Sequence, residues 1–303
     1  MMNQKPHNGI KGMLTDSKVS RVIEEAILED IGMGDITTEA IVPPDVLGKG
    51  DLVVKESGII AGIEVAALVF QFVDPELTLT SLIDDGSWCE NTTVVARVDG
   101  PLASILKGER TALNFLQRMS GIATLTRKYV EAVKGANARI TDTRKTAPSL
   151  RILDKLAVRF GGGINHRFGL DDMVLIKDNH IVAAGGIGPA IERCLTQLSS
   201  RKYKVNVEVE TKTIEEVQIA IKYAGIHRIM LDNFSIEDMK KAVRLVNHAV
   251  EVEASGNVSL MNVYEIAQTG VDFISIGALT HSPKALDISL EISTTPFRST
   301  SIS

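Results

Sequence analysis

Residues 139–182 read RITDTRKTAPSLRILDKLAVRFGGGINHRFGLDDMVLIKDNHIV, and this stretch decides the fold of the chain. Apolar, strand-like runs stand near its two ends, at residues 139–143 and 173–177. Between them lies an amphipathic helical segment at residues 149–159. Because two parallel strands need a crossover connection of this kind, the stretch predicts one unit of a parallel α/β sheet.

The same alternation of strand and helix continues as far as residue 276. The predicted strands are 139–143, 173–177, 205–210, 228–231, 250–254 and 273–276, and the predicted helices between them are 149–159, 188–198, 214–224, 236–246 and 260–268. Apolar, β-branched strands separated by amphipathic helices are typical of parallel strands buried on both faces. Six such units, followed by a helix-like segment at 283–292, predict a closed or nearly closed α/β barrel. An open doubly wound sheet is the alternative.

Polar side chains follow the predicted strands at the point where each strand ends. The segments are TRK at 143–145, KDN at 177–179, EVE at 208–210, LDN at 231–233, EASGN at 253–257 and IGA at 276–278. An α/β barrel places its active site at the carboxyl ends of its strands. This position favours the barrel over the open sheet and predicts that these segments form one site.

The first part of the chain lacks this regular alternation. Its predicted helices are 19–31 and 63–72, and its predicted strands are 49–55, 77–83 and 92–98. A long helix at 102–133, bent at Ser120 and Gly121, then leads into the barrel. We therefore predict four regions: a loose lead-in at 1–15, an N-terminal α+β domain with its connecting helix at 16–134, an α/β barrel at 135–282, and a C-terminal helix and tail at 283–303.

The composition is that of an ordinary globular protein. Of the 303 residues, 44% are hydrophobic and 23% are charged. No apolar run approaches the ~20 residues that a membrane helix needs, and the N-terminus lacks the apolar core of a secretory signal. Two cysteines, Cys89 and Cys194, are too few for a disulfide framework or a cysteine metal cluster. We expect reduced thiols, a cytoplasmic location and no membrane partner.

Positive charge is concentrated in the stretch that decides the fold. Residues 139–180 hold eight Lys or Arg and five Asp or Glu, a local charge of +3, whereas the whole chain is formally −5. A basic pocket in an acidic protein indicates a small anionic ligand rather than nucleic acid. Arg151, Lys155 and Arg159, four residues apart on the predicted helix, are interpreted as a solvated helix face. The triplet at 143–145 does not fit that interpretation, because it ends an apolar strand.

Several ordered motifs resemble the quinolinate phosphoribosyltransferase family, the carboxylating nicotinate-nucleotide pyrophosphorylases. They are ERTALNFLQRMSGIAT at 109–124, TDTRKTAPSLR at 141–151, GGGINHRFGLDDMVLIKDNH at 161–180, VEVE at 207–210, MLDN at 230–233, EASGN at 253–257, ISIGALTHS at 274–282 and, more weakly, EDIGMGDITT at 29–38. The resemblance covers nearly the whole chain. It implies an incomplete α/β barrel of parallel strands with an N-terminal α+β domain.

The resemblance also implies a pocket for quinolinate, a pyridine with two adjacent carboxylates. A buried dianion needs charge-assisted donors, and the expected substrate-binding residues here are Thr143, Arg144, Lys145, His166, Arg167 and Lys177. By itself His166 is more often a structural histidine, but with Arg167 it matches the family's substrate-binding pair. Arg110 would otherwise be a surface cation. It matches the family arginine that enters the neighbouring subunit's site, so a homodimer with Arg110 contributed across its interface is expected.

Glu210 and Asp232 end successive strand units, so both side chains can reach one barrel mouth. Such carboxylates can hold Mg²⁺ against a diphosphate and can stabilise positive charge that develops at the ribose anomeric carbon. Glu208 is the rival of Glu210, because strand alternation puts it on the same face, one layer deeper. The pattern does not choose between the two glutamates. The resemblance favours Glu210.

Small residues at the ends of the last two strands are the expected phosphate site. They are Ser255, Gly256 and Asn257 after one strand, and Ile276, Gly277 and Ala278 after the other. Backbone N–H groups and helix N-termini at such turns can bind an anion, although glycine at a strand end is more often only a turn. His281 matches a family position near the ribose phosphate, with a helix cap as the alternative.

The activity implied by the resemblance is the conversion of quinolinate and phosphoribosyl diphosphate to nicotinate mononucleotide, diphosphate and CO₂ in de novo NAD biosynthesis. The expected catalytic residues are Lys145, Lys177, Glu210 and Asp232, with Mg²⁺ as cofactor. Two alternatives remain. One is a related phosphoribosyltransferase that acts on another anionic ring or does not decarboxylate. The other is a non-catalytic sensor of phosphate metabolites on the same scaffold.

Overall fold

The computed structural model describes residues 10–200 and 204–294. Up to residue 132 the elements are α1 (Ile10–Leu14), α2 (Ser17–Ile31), α3 (Ile36–Ile41), β1 (Leu47–Val54), β2 (Gly58–Ile59), α4 (Ile63–Val73), β3 (Thr78–Ser81), β4 (Trp88–Cys89), β5 (Val94–Pro101) and α5 (Leu102–Ala132). They are followed by β6 (Arg139–Thr141), α6 (Arg151–Phe160), β7 (Val174–Ile176), α7 (Asp178–Ala184), α8 (Ile187–Ser199), β8 (Val207–Thr211), α9 (Ile214–Ala220), β9 (Arg228–Asp232), α10 (Ile236–Val246), β10 (Glu251–Ser255), α11 (Val263–Ala267), β11 (Phe273–Ser275), α12 (Ala278–His281) and β12 (Ile288–Thr294).

The chain forms two compact units. The first unit holds residues up to 125, residues 147–162 and residues from 282 onward. The second, called the barrel unit below, holds residues 126–146 and 163–281. Along the described chain, no helix is both long and apolar enough to cross a membrane.

The first unit is built on an antiparallel sheet with the strand order β12-β1-β5-β3. The strands β1, β3 and β5 and the helices α2, α4 and α5 lie close to their predicted positions. The predicted lead-in is wrong in part. Residues 1–9 lie outside the described residues, but Ile10–Leu14 form a helix, and Met13 is buried in the core.

The predicted helix at 283–292 is also wrong, because this part of the chain ends in strand β12. Strand β12 pairs antiparallel with β1, and Leu290 lies opposite Leu52. Ile288 is buried and Ile292 is exposed, while Leu290 packs against the buried cluster of this unit. These apolar residues repeat every second position, which suits a strand, and the pairing satisfies backbone groups along one edge of β1.

The barrel unit contains the predicted parallel strands. Their order is β6-β11-β10-β9-β8-β7, and every neighbouring pair is parallel. The last strand of this parallel sheet in sequence, β11, therefore lies beside its first, β6, as in a barrel, but the sheet is interrupted between β6 and β7. The predicted incomplete α/β barrel is confirmed.

Helix α6 belongs to the first unit, although its sequence lies inside the range predicted for the barrel. Its residues 152–158 are all buried, so neighbouring elements cover more than one face of the helix. Lys155 is fully buried, and the predicted solvated face is therefore wrong at this residue. Arg151 and Arg159 are partly exposed.

A buried ion pair links α6 to α5 within the first unit. Arg118 Nε and Nη2 each donate to the Asp154 carboxylate at 2.8 Å. Burial raises the pKa of Asp154, against the opposing effect of Arg118. The carboxylate is fully buried, so it depends on this partner for its negative charge.

We expect Arg118→Ala to lower the free energy of unfolding of the first unit by about 3 kcal/mol, because it leaves a buried carboxylate without its cation. Urea unfolding at neutral pH measures the loss. The matched control is Arg97→Ala, which removes a similar bidentate pair with Asp51 between two partly exposed side chains. Exposed pairs contribute little. Equal losses in the two variants would contradict this explanation.

Candidate active site

A pocket of about 860 Å³ opens at the carboxyl ends of the barrel strands. The predicted site residues that line it are Thr143, Arg144, Lys145, His166, Arg167, Lys177, Glu210, Asp232, Ser255, Gly256, Asn257, Ile276, Gly277, Ala278 and His281. Arg110 is the exception. It lies exposed on α5 in the first unit and is not among the residues that line this pocket.

The basic side chains gather around the gap between β6 and β7. They are Arg144 and Lys145 after β6, His166 and Arg167 between the two strands in sequence, and Lys177 after β7. The segment at 163–167 runs beside the free edge of β6, where Ile164 pairs with Thr141. The interruption of the sheet therefore makes room for a third basic segment at the pocket.

Asp142 fixes this third segment. Its fully buried carboxylate accepts hydrogen bonds from the backbone N–H of His166 at 2.9 Å and from Asn165 Nδ2 at 2.6 Å. Arg167 Nη1 donates to the carbonyl of Met173 at 3.1 Å. Burial and the nearby Arg144 lower the pKa of Arg167. The Asp142 side chain, directly after β6, and the Met173 carbonyl, directly before β7, therefore hold the segment in place.

The His166 ring points away from solvent and towards two buried carboxylates. Its Nε2 lies 3.0 Å from Glu208 Oε2 and 3.5 Å from Glu253 Oε2. Burial favours the neutral ring, but attraction by Glu253 and Glu208 outweighs it and raises the pKa of His166 to about 9. Its Nδ1 accepts the backbone N–H of Arg167 at 2.9 Å, which instead favours a ring without a hydrogen on Nδ1. Both influences leave a hydrogen on Nε2, facing the carboxylates.

The carboxylates of the pocket stand beside the basic group. Glu210, at the end of β8, is almost fully buried and accepts a hydrogen bond from Lys177 Nζ at 2.7 Å. Asp232, at the end of the neighbouring strand β9, is partly exposed and accepts from Asn233 Nδ2 at 3.1 Å. Glu208 lies one layer deeper than Glu210 and does not line the pocket. Paired parallel strands thus place two carboxylates on one wall.

The lining of the pocket is balanced in charge rather than strongly basic. Its four Lys and Arg residues, Arg144, Lys145, Arg167 and Lys177, meet four carboxylates, Asp178, Glu210, Asp232 and Glu253. The positive excess along the sequence therefore does not carry over to the pocket as a whole. The charges are instead separated, with most cations around the gap and with Glu210 and Asp232 on β8 and β9.

Two close turns form the remaining wall. Gly256 has φ +94°, and a side chain there would place Cβ 2.2 Å from Asn233 Oδ1, an atom that also accepts from Asn257 Nδ2. At Gly277 a Cβ would lie 3.1 Å from carbon atoms of both Lys145 and His281. Gly256 therefore requires glycine, whereas a side chain at Gly277 would displace Lys145 and His281 by a few tenths of an ångström.

The expected helix N-termini adjoin only one of these turns. Helix α12, four residues long, begins at Ala278, directly after Gly277. After Asn257, by contrast, the next helix, α11, begins only at Val263. His281 is the last residue of α12 rather than a cap at its start. Thr280 Oγ1 donates to the Lys145 carbonyl at 2.9 Å and so ties α12 to the loop after β6.

Sequence reasoning missed several residues that shape the site. Asp142, Asn233 and Glu253 were not predicted, although each lies in or beside a motif that was. Strand alternation in the sequence could have identified Glu253. It alternates with Ser255 on β10, so both side chains face the same side of the strand. Asp142 lies out of phase with Thr141 and Thr143, and its role depends on the returning segment at 163–167.

Comparisons with known proteins agree over almost the whole chain. The family described as quinolinate phosphoribosyl transferase, C-terminal domain, matches residues 122–291, and its N-terminal domain counterpart matches residues 35–120. A Nicotiana glauca protein named quinolinate phosphoribosyltransferase (decarboxylating) 2, mitochondrial, is 47% identical over 91% of this chain and 82% of its own length. An Arabidopsis thaliana protein named nicotinate-nucleotide pyrophosphorylase (carboxylating), chloroplastic, is also 47% identical, over 90% of this chain and 82% of its own. The solved structure of NadC from Streptococcus pyogenes is similar with a TM-score of 0.87, at 37% identity, over 92% of this chain and 98% of that one.

Proposed function

This chain belongs to the quinolinate phosphoribosyltransferase family, and we propose that it uses the barrel pocket to join quinolinate to phosphoribosyl diphosphate with loss of CO₂. It is an enzyme of de novo NAD biosynthesis, and its product is nicotinate mononucleotide. The observation that carries the assignment of the pocket is the separation of charge in its walls, with cations around the β6–β7 gap and carboxylates on β8 and β9.

Quinolinate suits the basic side of the pocket. Its two carboxylates need at least two donor groups, and Arg144 and Arg167 offer planar guanidinium groups that can bind carboxylates bidentately. The His166 ring lies between Arg167 and the buried carboxylates. We assign Thr143 to the same site because its hydroxyl accepts the backbone N–H of Lys145 at 3.0 Å and so shapes the loop that presents both cations.

Phosphoribosyl diphosphate suits the opposite wall and the two turns. The turns at Ser255–Asn257 and Ile276–Ala278 offer backbone N–H groups for the ribose phosphate. Lys145 passes close to Gly277 and His281, so its ammonium group can serve both the turn and the basic side. This arrangement would place the ribose between the pyridine nitrogen and the leaving diphosphate.

Glu210 and Asp232 fit a magnesium site. Mg²⁺ prefers carboxylate oxygens and usually joins one or two of them to phosphate oxygens of a substrate. These carboxylates stand at the ends of two paired strands and line the same pocket. When bound there, Mg²⁺ would neutralise the diphosphate and stabilise it as a leaving group.

The reaction needs positioning and charge stabilisation more than covalent help from the protein. The pyridine nitrogen forms a bond to the anomeric carbon while the bond from that carbon to diphosphate oxygen breaks. The ring becomes a pyridinium, which accepts the electron pair left when the 2-carboxylate departs as CO₂, and a proton then replaces it on that ring carbon. We place Lys177 as the candidate proton donor, held by Glu210 at 2.7 Å.

We expect Glu210→Ala and Asp232→Ala to lower kcat by at least about tenfold while quinolinate affinity changes little, because these carboxylates act on the diphosphate side. Activity should also require a divalent ion. The test combines a magnesium titration of turnover with a separate equilibrium measurement of quinolinate binding. A variant that loses quinolinate binding but keeps its turnover rate would reverse the role given to that carboxylate.

The exposed position of Arg110 on α5 supports a shared site. We propose that the protein is a homodimer in which each subunit supplies Arg110 to the pocket of the other. We also propose a cytoplasmic location, which rests on the low cysteine content of the chain, two in 303 residues, and is checked by cell fractionation. The names of the plant relatives give mitochondrial and chloroplastic locations for those proteins.

Product analysis tests the proposed function against a non-decarboxylating relative. The purified protein is incubated with quinolinate, phosphoribosyl diphosphate and Mg²⁺, and the products are separated by mass. Nicotinate mononucleotide is the expected product. A mononucleotide that keeps both ring carboxylates would favour ribosyl transfer without decarboxylation, and no nucleotide at all would contradict the proposal.

A further inference from the structure

Two buried glutamates stand in the interior of the barrel at the pocket, which Glu253 lines and Glu208 does not. Glu208 on β8 and Glu253 on β10 both have no solvent exposure. Branched apolar residues ordinarily fill this part of an α/β barrel. Carboxylates at these positions therefore call for a physical explanation.

The two carboxylates face one histidine and one arginine. Glu208 Oε2 lies 3.0 Å from His166 Nε2, and Glu253 Oε2 lies 3.5 Å from the same atom. On its other side, Glu253 Oε2 accepts from Arg228 Nη1 at 2.9 Å. Arg228 in turn stacks over the Phe273 ring, with 3.8 Å between Cζ and the ring centroid. A connected polar column thus runs from the barrel interior to the pocket.

Stability alone does not account for this column. Two like charges near each other in the interior repel, and burial penalises each of them. Burial and repulsion from Glu253 raise the pKa of Glu208, whereas for Glu253 attraction by His166 and Arg228 outweighs burial and lowers the pKa. A whole buried ion pair can often be replaced by apolar residues of similar volume without loss of stability. A role in the site is therefore the alternative explanation for these glutamates.

Glu208 and Glu253 contact His166, which directly precedes Arg167 in the chain. The ring can donate to these carboxylates from Nε2 when it is charged, and also when it is neutral with its hydrogen on Nε2. In that neutral form, its other nitrogen accepts the Arg167 backbone N–H at 2.9 Å. The orientation of the ring is therefore coupled to the backbone that positions Arg167 in the pocket.

A metal ion is the rival occupant of this cluster. The donor atoms of His166, Glu208 and Glu253 lie within 4.8 Å of one another. A metal would need the lone pair of His166 Nε2. The contact between Nδ1 and the Arg167 N–H favours the ring form in which Nε2 carries the hydrogen instead, and Arg228 already engages Glu253. The arrangement therefore favours a direct charge contact between the ring and the two carboxylates over a shared metal ion.

We propose that Glu208 and Glu253 are positioning residues that align His166, and through it Arg167, for binding of the dianionic substrate. Neither glutamate needs to touch quinolinate. The proposal rests on the proposed function, because it assigns the affected step to quinolinate binding. It predicts that removal of Glu208 weakens one substrate specifically, rather than the whole protein.

The test replaces Glu208 with Met and with Gln and measures Tm, kcat and the KM of each substrate. Glu208→Met removes the acceptor but keeps the volume, so quinolinate KM should rise by about tenfold or more while the KM of phosphoribosyl diphosphate stays within about twofold. His166 keeps Glu253 as a buried partner in this variant and the repulsion between the two glutamates is removed, so the Tm should stay close to that of the wild type. Glu208→Gln keeps an acceptor oxygen for His166 and should restore much of the quinolinate affinity.

The control is Glu251→Gln. Glu251 is exposed on the same strand as Glu253 and pairs with Arg228 at 2.9 Å, but it does not line the pocket. Its quinolinate KM should match that of the wild type. An active wild type with an unchanged quinolinate KM in Glu208→Met would overturn this inference alone. A Glu208→Met variant with a lower Tm and equal rises in KM for both substrates would also overturn this inference. A wild type that does not use quinolinate would overturn the proposed function, and this inference with it.

Discussion

Arg167→Ala should lower kcat/KM for quinolinate by at least about a hundredfold, roughly 3 kcal/mol for the loss of a buried charged contact. Arg167 is largely buried, lines the pocket and follows His166 in the segment that Asp142 anchors. Its loss removes charge-assisted bonds to a substrate carboxylate. Steady-state kinetics with quinolinate as the varied substrate measure the effect.

The matched control is Arg244→Ala. Arg244 is exposed on α10 of the same barrel unit and does not line the pocket, so its kcat/KM should stay within about twofold of the wild type. Nicotinate, which lacks the second carboxylate, should be a poor substrate for the wild-type protein. If nicotinate reacts as well as quinolinate, the basic side of the pocket does not select for the second carboxylate.

Arg110→Ala and Lys145→Ala should each leave a nearly inactive homodimer, yet mixtures of the two should regain activity. Arg110 lies in the first unit, and Lys145 lines the pocket of the barrel unit. In a mixed dimer with shared sites, one site carries both defects and the other receives an intact Arg110 beside an intact Lys145. Random reassociation of equal amounts makes about half of the dimers mixed, so about a quarter of all sites should be intact.

The measurement is activity after the two variants have been dissociated and reassociated together. Each variant treated alone is the control, and two distinguishable tags verify that mixed dimers have formed. Recovery near a quarter of wild-type activity supports the shared site. Verified mixed dimers without any recovery would mean that Arg110 acts within its own chain or has only a structural role.

Most of the barrel was predictable from the sequence because its strands are apolar runs that end in polar motifs. Helix α10 begins and ends at the predicted residues, and the polar ends of the strands meet in one pocket as expected. The helix predicted at 283–292 failed for a physical reason. Its apolar residues fit a short helix or an edge strand equally well, and pairing with β1, more than two hundred residues earlier in the chain, decides between them.

Residues whose roles depend on tertiary contacts were not predictable in the same way. The roles of Asp142 and Glu253 depend on contacts with residues distant in sequence, His166 and Arg228. Lys155 was predicted to be solvated because of its spacing along the helix, but the packing of α6 in the first unit buries it. Local patterns report which face a side chain occupies on its own element and do not report what covers that face.

The most direct test of the central claim follows the carboxylate at position 2 of quinolinate. Quinolinate labelled with ¹³C in that carboxyl group is incubated with the wild-type protein, phosphoribosyl diphosphate and Mg²⁺. We expect labelled CO₂ and unlabelled nicotinate mononucleotide in equal amounts, and neither product when phosphoribosyl diphosphate is left out. Label that remains in a mononucleotide, or labelled CO₂ released without phosphoribosyl diphosphate, would contradict the account.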